Sequence, residues 1–196
     1  MNDWSQSPGK DLQKAFELAQ KAIDLDKNLF VPHGTLGWIY LLRGKHDEAI
    51  AEARKAVDLA PNNAWANGCL GTFLAYADRP DEAILVSENA LRLNPFPIDW
   101  DLLFAEVGYF MAGRYEEALA YSKKAQERNP DNMWSYIYQA GIYGHLGREE
   151  EARAAAKEIL RLNPKFSLEQ QEKQTWFKNR DKWNLHINGL RKAGLK

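Results

Sequence analysis

Apolar residues along this chain fall into short helical stripes separated by glycine or proline. Leu36, Tyr40 and Leu41 recur at i, i+4 and i+5 and share one helix face. Arg43-Gly44 closes that stretch, because glycine adopts the left-handed cap conformation without a Cβ clash. A second stripe follows, formed by Ala49, Ala53, Ala56 and Ala60 with Ile50 and Val57 beside it. Small residues on one stripe let two helices approach closely. Pro61 ends the stripe, since proline has no N–H to donate and its ring clashes with the preceding turn. The pattern predicts a pair of helices over residues 30–63.

That pair recurs. Asp47-Glu48-Ala49-Ile50 returns as Asp81-Glu82-Ala83-Ile84, Glu116-Glu117-Ala118-Leu119 and Glu150-Glu151-Ala152-Arg153. Three further columns keep the same step: Ala22, Ala56, Ala90, Ala125 and Ile159; Lys27, Pro61, Pro95, Pro130 and Pro164; and Leu36-Gly37, Leu70-Gly71, Ala105-Glu106 and Gln139-Ala140. The alanines at 15, 49, 83, 118 and 152 are spaced by 34, 34, 35 and 34. A unit this small cannot bury its apolar face alone, so stacking neighbours must cover it, which gives a solenoid.

The columns resemble the tetratricopeptide repeat (TPR) family, whose pattern combines Leu-Gly, Tyr, two alanines and a closing proline at a period of 34. The resemblance covers about residues 10–164 and implies an all-α, right-handed TPR superhelix. The units are a partial one at 10–29, then 30–63, 64–97, 98–132 and 133–164. The 35-residue RNA-binding repeats are a look-alike, disfavoured by three spacings of 34, the proline column and the lack of a basic stripe. The chain departs from the pattern in places. The first unit lacks its first helix, of which Trp4 reads as a remnant, and it carries Lys27 in place of proline. An extra residue sits at Phe96-Pro97-Ile98, and Ile159 replaces the second alanine of the last unit.

Residues 165–196 leave the period. Ser167-Leu168-Glu169-Gln170 fits a capping box that opens a short helix. Asn179 fits the cap of a longer one running to Gly194, with Trp183, Ile187 and Leu190 on one face. This segment is expected to cover the open end of the solenoid. It carries eight Lys/Arg against three Asp/Glu, so it is +5 and the remainder is −6. Leu162 to Gln170 and Gly189 to Leu195 also resemble the C-terminal end of a bacterial group. There a TPR array follows a class III adenylate/guanylate cyclase domain or a winged-helix domain. The resemblance implies a regulatory or sensory module as an alternative function.

Composition narrows the function classes. The 196 residues are 45% hydrophobic and 27% charged, with a net charge of −1, which argues against disorder and against a general nucleic-acid binder. No apolar run is long enough to span a membrane and the N-terminus has no signal-peptide pattern, so a cytoplasmic location is expected. The single Cys69 excludes a disulfide framework and reads as a buried small apolar residue. His33, His46, His145 and His186 include no pair at i, i+3 or i, i+4, so no metal set is expected. His33 and His46 read as solvent-exposed. The Asp-Glu and Glu-Glu pairs open second helices, where negative charge favours the helix dipole. Gly34-Thr35-Leu36-Gly37 lies inside a helix and is not a phosphate loop. No cofactor and no catalytic constellation follow; the chain reads as non-enzymatic.

What remains is a surface. The resemblance implies that first helices of successive units line a concave groove. It places Trp65, Thr72 and Tyr76 there, then Trp100, Leu103, Phe110 and Met111, then Trp134, Ile137 and His145. Trp65, Trp100 and Trp134 recur at 35 and 34, one above another. They read either as a peptide-binding platform or as packing wedges between units. The family's carboxylate-clamp positions lack Lys, Arg and Asn, so the expected partner is a protein or peptide segment with apolar or aromatic residues. Self-assembly into a homo-oligomer is a third possibility. Trp38 reads as packing within its own unit, and Trp176 has no assignment.

Overall fold

A computed structural model describes residues 8–174 and 176–196, and all its regular elements are helices. Helix α1 (Pro8–Leu25) stands alone. Four pairs follow: α2 (Phe30–Leu42) with α3 (His46–Leu59), α4 (Ala64–Tyr76) with α5 (Pro80–Leu93), α6 (Asp99–Met111) with α7 (Tyr115–Arg128), and α8 (Met133–Leu146) with α9 (Glu149–Leu162). A short α10 (Leu168–Glu172) and a final α11 (Arg180–Lys192) complete the chain. The pairs stack into an α-solenoid. Trp4 lies outside the described residues.

Each repeat column has a local job. Asn94, Asn129 and Asn163 accept the N–H two residues on with their side-chain oxygen, at 3.1–3.2 Å. This Asx turn reverses the chain while the next residue, proline, blocks further helix. Within a unit, the link between helices passes through one residue at positive φ: Gly44 (70°), Gly113 (75°) and Gly147 (73°). The equivalent in the second pair is Asp78 at φ 64°. A carboxylate side chain there is a departure from the glycine that the geometry favours.

The alanine columns form the seam inside each pair. Ala49, Ala83, Ala118 and Ala152 are fully buried, as are Ala56 and Ala125. Ile159 is buried as well, so the larger side chain is accommodated in the core. Contact between first helices of neighbouring units depends on another column: Gly34, Gly68, Leu103 and Ile137. The Trp65 ring lies flush on Gly34 and the Phe104 ring on Gly68. Leu103 offers no such recess, and α6 and α8 do not approach each other as α4 and α6 do. The extra residue before α6 lies on the same stretch of chain.

The tail is both an end piece and a strap. Helix α11 packs on α8, where Gly189 faces the backbone of Gly141 and Gly144 so closely that a Cβ on any of the three would collide. Its start is capped by Asn179, which accepts the Lys182 N–H at 3.2 Å, and Ser167 caps α10 from the Gln170 N–H at 3.4 Å. Between α10 and α11, the chain crosses back over the concave face. Lys178 N–H donates to the Tyr76 carbonyl at 2.9 Å, and His46 Nε2 meets the Trp176 carbonyl oxygen at 2.7 Å. His46 is therefore engaged, not merely solvated. His33 is buried and pairs with Glu52 at 2.7 Å, again contrary to the exposed position read from the sequence. Cys69 is fully buried, and burial pushes its thiol up to about 12.

Candidate functional site

The separation of α6 from α8 opens a cavity of about 280 Å³ on the concave face. Its walls come from four units and the strap. Trp38 of α2 and Thr72 and Tyr76 of α4 form one side. Trp100, Leu103, Phe104 and Val107 of α6 form the floor, and Trp134 and Tyr138 of α8 form the far wall. Trp176 of the strap closes the remaining side, with its ring 5.8 Å from Trp134 and 6.3 Å from Tyr76. Four indoles thus surround one apolar space.

Polar groups near the cavity are spent internally. The Thr72 hydroxyl donates to the Gly68 carbonyl at 3.0 Å within its own helix. The hydroxyls of Tyr76 and Tyr138 bond each other at 2.8 Å. Burial pushes the Tyr76 phenol up to about 12 and Tyr138 well above its ordinary value, so both stay neutral. Two further titratable groups are sealed in the core. Glu106 replaces the glycine of the Leu-Gly column, and burial raises its carboxyl well above the usual range. Its two oxygens have no hydrogen-bond partner among the described residues; nearby Ser122 Oγ is bonded to the Ser135 carbonyl and to Gln139. His186 sits against Phe110, Tyr138 and Trp183, and burial lowers it to about 3. Neither Glu106 nor His186 lines the cavity. A space walled by indoles and alkyl groups can hold an apolar or aromatic side chain; it offers no acid, base or nucleophile to a substrate.

The structure sorts the residues that the sequence assigned to the groove. Thr72, Tyr76, Trp100, Leu103 and Trp134 meet at the cavity. Trp65 does not: it wedges between units on Gly34 and edge-on to Phe30. Phe110, Met111 and Ile137 also lie elsewhere, 3%, 0% and 1% exposed, in the core between helices. Met111 ends α6, and both Met111 and Ile137 are covered by neighbouring helices, so neither presents its side chain to the open wall. His145 packs edge-on to Tyr115 and borders a separate depression against α11. Trp100 is 47% exposed, an open indole at the mouth of the cavity.

Five wall residues were missing from the sequence reading. Trp38 and Val107 share the repeat column of Thr72, at steps of 34 and 35, so the column itself carried the signal. Trp38, read from the sequence as packing within its own unit, also packs edge-on to Phe73 of the next unit, 4.9 Å away. Phe104 and Tyr138 share another column, 34 apart. Trp176 has no repeat equivalent, and only the path of the strap brings it here.

Comparisons agree with this geometry. Sequence models described as Tetratricopeptide repeat match residues 32–63, 70–133 and 109–172. The fold is similar to that of PilW, a widely conserved type IV pilus biogenesis factor. That match has a TM-score of 0.72 at 19% identity, covering 95% of this chain and 84% of that one. A thermophilic TPR protein of Thermus thermophilus matches with a TM-score of 0.70 at 19% identity, over 92% and 91% of the two chains. YrrB, described as a TPR protein with an unusual peptide-binding site, matches at 0.55 and 21% identity, over 81% of each chain. No curated protein sequence matches the chain. The likeness of the tail to a cyclase or winged-helix regulator group finds no support among these matches.

Proposed function

Given that the chain carries tetratricopeptide repeats folded as an α-solenoid, we propose that it is a non-enzymatic protein-interaction scaffold that binds a partner segment on its concave face. The observation that carries this reading is the four-indole cavity with Trp100 standing half open at its mouth. An exposed tryptophan beside an apolar recess is the composition of an interface hot spot. Apolar area is roughly worth 25 cal/mol per Å² when removed from water, so one buried aromatic side chain of a partner is a substantial anchor.

The cavity selects against charged ligands, because its lining carries no charged side chain and a buried charge would find no counterion. A solved protein of similar fold is described as peptide-binding, which is compatible with a segment entering here. Wild type and a Trp100→Ala/Trp134→Ala variant are used as baits, and captured proteins are compared by mass spectrometry. Partners held by the wild type and lost by a variant of unchanged helical content support the proposal. Identical captures would refute it, as would turnover of a substrate abolished by a single substitution.

A further inference from the structure

Residues 176–179 do more than lead into α11. They pass the C-terminal ends of α4 and α6, where backbone carbonyls lack intrahelical partners and the helix dipole is negative. The strap and the first turn of α11 supply donors to those ends. Lys178 N–H bonds the Tyr76 carbonyl at 2.9 Å, and the Lys182 ammonium bonds the Met111 carbonyl. Phe177 stacks edge-on to Tyr76 at 4.7 Å, and Trp176 closes the indole cavity.

A second feature points the same way. The link within the second pair uses Asp78 at positive φ, where the other three pairs have glycine. Its carboxylate accepts from Asn179 Nδ2 at 3.1 Å and faces Lys182 Nζ at 4.0 Å. A strained position occupied by a residue that contacts the strap fits a recognition role. Overall charge agrees, with a +5 tail lying on a −6 array.

We propose that the concave groove recognises a segment bearing a Trp-Phe pair followed by lysine, extended at first and then turning into a helix, and that residues 176–182 are the chain's own resident copy of it. This rests on reading the groove as the partner site. A partner segment of the same chemistry replaces the strap contact for contact: aromatic rings against Tyr76 and Trp134, N–H and ammonium donors to the ends of α4 and α6. Helix α10 and α11 beyond its first turn stay docked meanwhile, through Leu168 N–H to the Lys196 carbonyl at 2.8 Å and the Arg191–Glu172 pair. The strap thus sets the threshold for partner binding.

The test uses a fluorescein-labelled peptide, Trp-Phe-Lys-Asn-Arg-Asp-Lys-Trp, and anisotropy titrations against full-length protein. Wild type, whose groove is occupied, binds weakly. Apparent affinity scales with the fraction of open grooves, so loosening the strap by Asp78→Gly/Trp176→Ala tightens binding by about tenfold or more. Asp78→Gly alone restores the residue of the other pairs, so it keeps the fold and gives a smaller gain in the same direction. A peptide with its first Trp replaced by Ala fails to bind the double variant. Equal affinity for wild type and variants overturns the proposal, as does binding indifferent to that Trp. A variant that dimerises and binds no peptide also overturns it, since the groove would then serve another copy's strap. Partner capture that depends on Trp100 and Trp134 but is unaffected by excess peptide would leave the scaffold reading intact and refute this one.

Discussion

The hydroxyls of Tyr76 and Tyr138 bond each other at 2.8 Å although the residues lie 62 positions apart. They belong to α4 and α8, so the bond skips the unit between them. Simple solenoids hold together by nearest-neighbour contacts alone. Here the concave face is curved enough for a second-neighbour bond, which sits at the edge of the indole cavity. Removing one hydroxyl strands the other in an apolar site. Tyr138→Phe is expected to cost about 1–3 kcal/mol, and the double Tyr76→Phe/Tyr138→Phe variant less than the sum of the singles. Urea denaturation of the four proteins measures the cycle; additive losses would show that the hydroxyls are not coupled.

Two sealed groups give the stability profile its shape. His186 is lowered from 6.5 to about 3 by burial, so below pH 6.5 the unfolded chain binds a proton that the folded one refuses. Stability then falls as pH drops. Glu106 is raised well above 4.5, so above pH 4.5 the unfolded chain releases a proton that the folded one keeps, and stability falls as pH rises. Each slope is roughly 1.4 kcal/mol per pH unit for one proton. The two slopes oppose each other, His186 acting below pH 6.5 and Glu106 above pH 4.5, so stability should be highest at mildly acid pH.

Each slope should disappear with its own residue. His186→Phe flattens the acid limb, and Glu106→Gln flattens the alkaline limb while leaving the acid one. Chemical denaturation across pH 3–9 reads both. A His186→Phe protein that still loses stability steeply below pH 4.5 would show that another group carries the acid limb.

Helix propensity alone says that Gly189→Ala on α11 should stabilise the chain by about 1 kcal/mol. The structure reverses the sign, because the added Cβ meets the Gly141 carbonyl across the α8–α11 contact. A loss of about 1–3 kcal/mol is expected from overpacking. Asn188→Ala, on the exposed side of the same helix, should be near neutral. If Gly189→Ala raised the melting temperature, the close approach of the two helices would be wrong.

Much of the solenoid was legible because repeats restate their instructions. Alanine stripes, Asn-Pro stops and the Gly44 link each recur, and each has one physical meaning. The site was half legible. Thr72, Tyr76, Trp100, Leu103 and Trp134 follow from the first-helix columns. Met111, Phe110 and Ile137 misled because a column gives a helix face, not whether a neighbour covers it. Trp65 and Trp100 share one column yet differ, since Trp65 has Gly34 to rest on while Phe104 already covers Gly68. Trp176 and the strap were invisible, because their placement depends on contacts such as Lys178 to Tyr76, 102 residues apart by numbering.

The central claim is that the open indoles bind while the wedged one packs. The decisive measurement compares Trp65→Ala with Trp100→Ala/Trp134→Ala for both partner capture and melting temperature. The account predicts that Trp65→Ala lowers the melting temperature and leaves capture by the folded protein intact, since Trp65 is partly buried as a wedge on Gly34 and its truncation opens that contact between units. The double variant should lose capture with a smaller change in melting temperature. A double variant that captures the same partners as wild type would contradict the account.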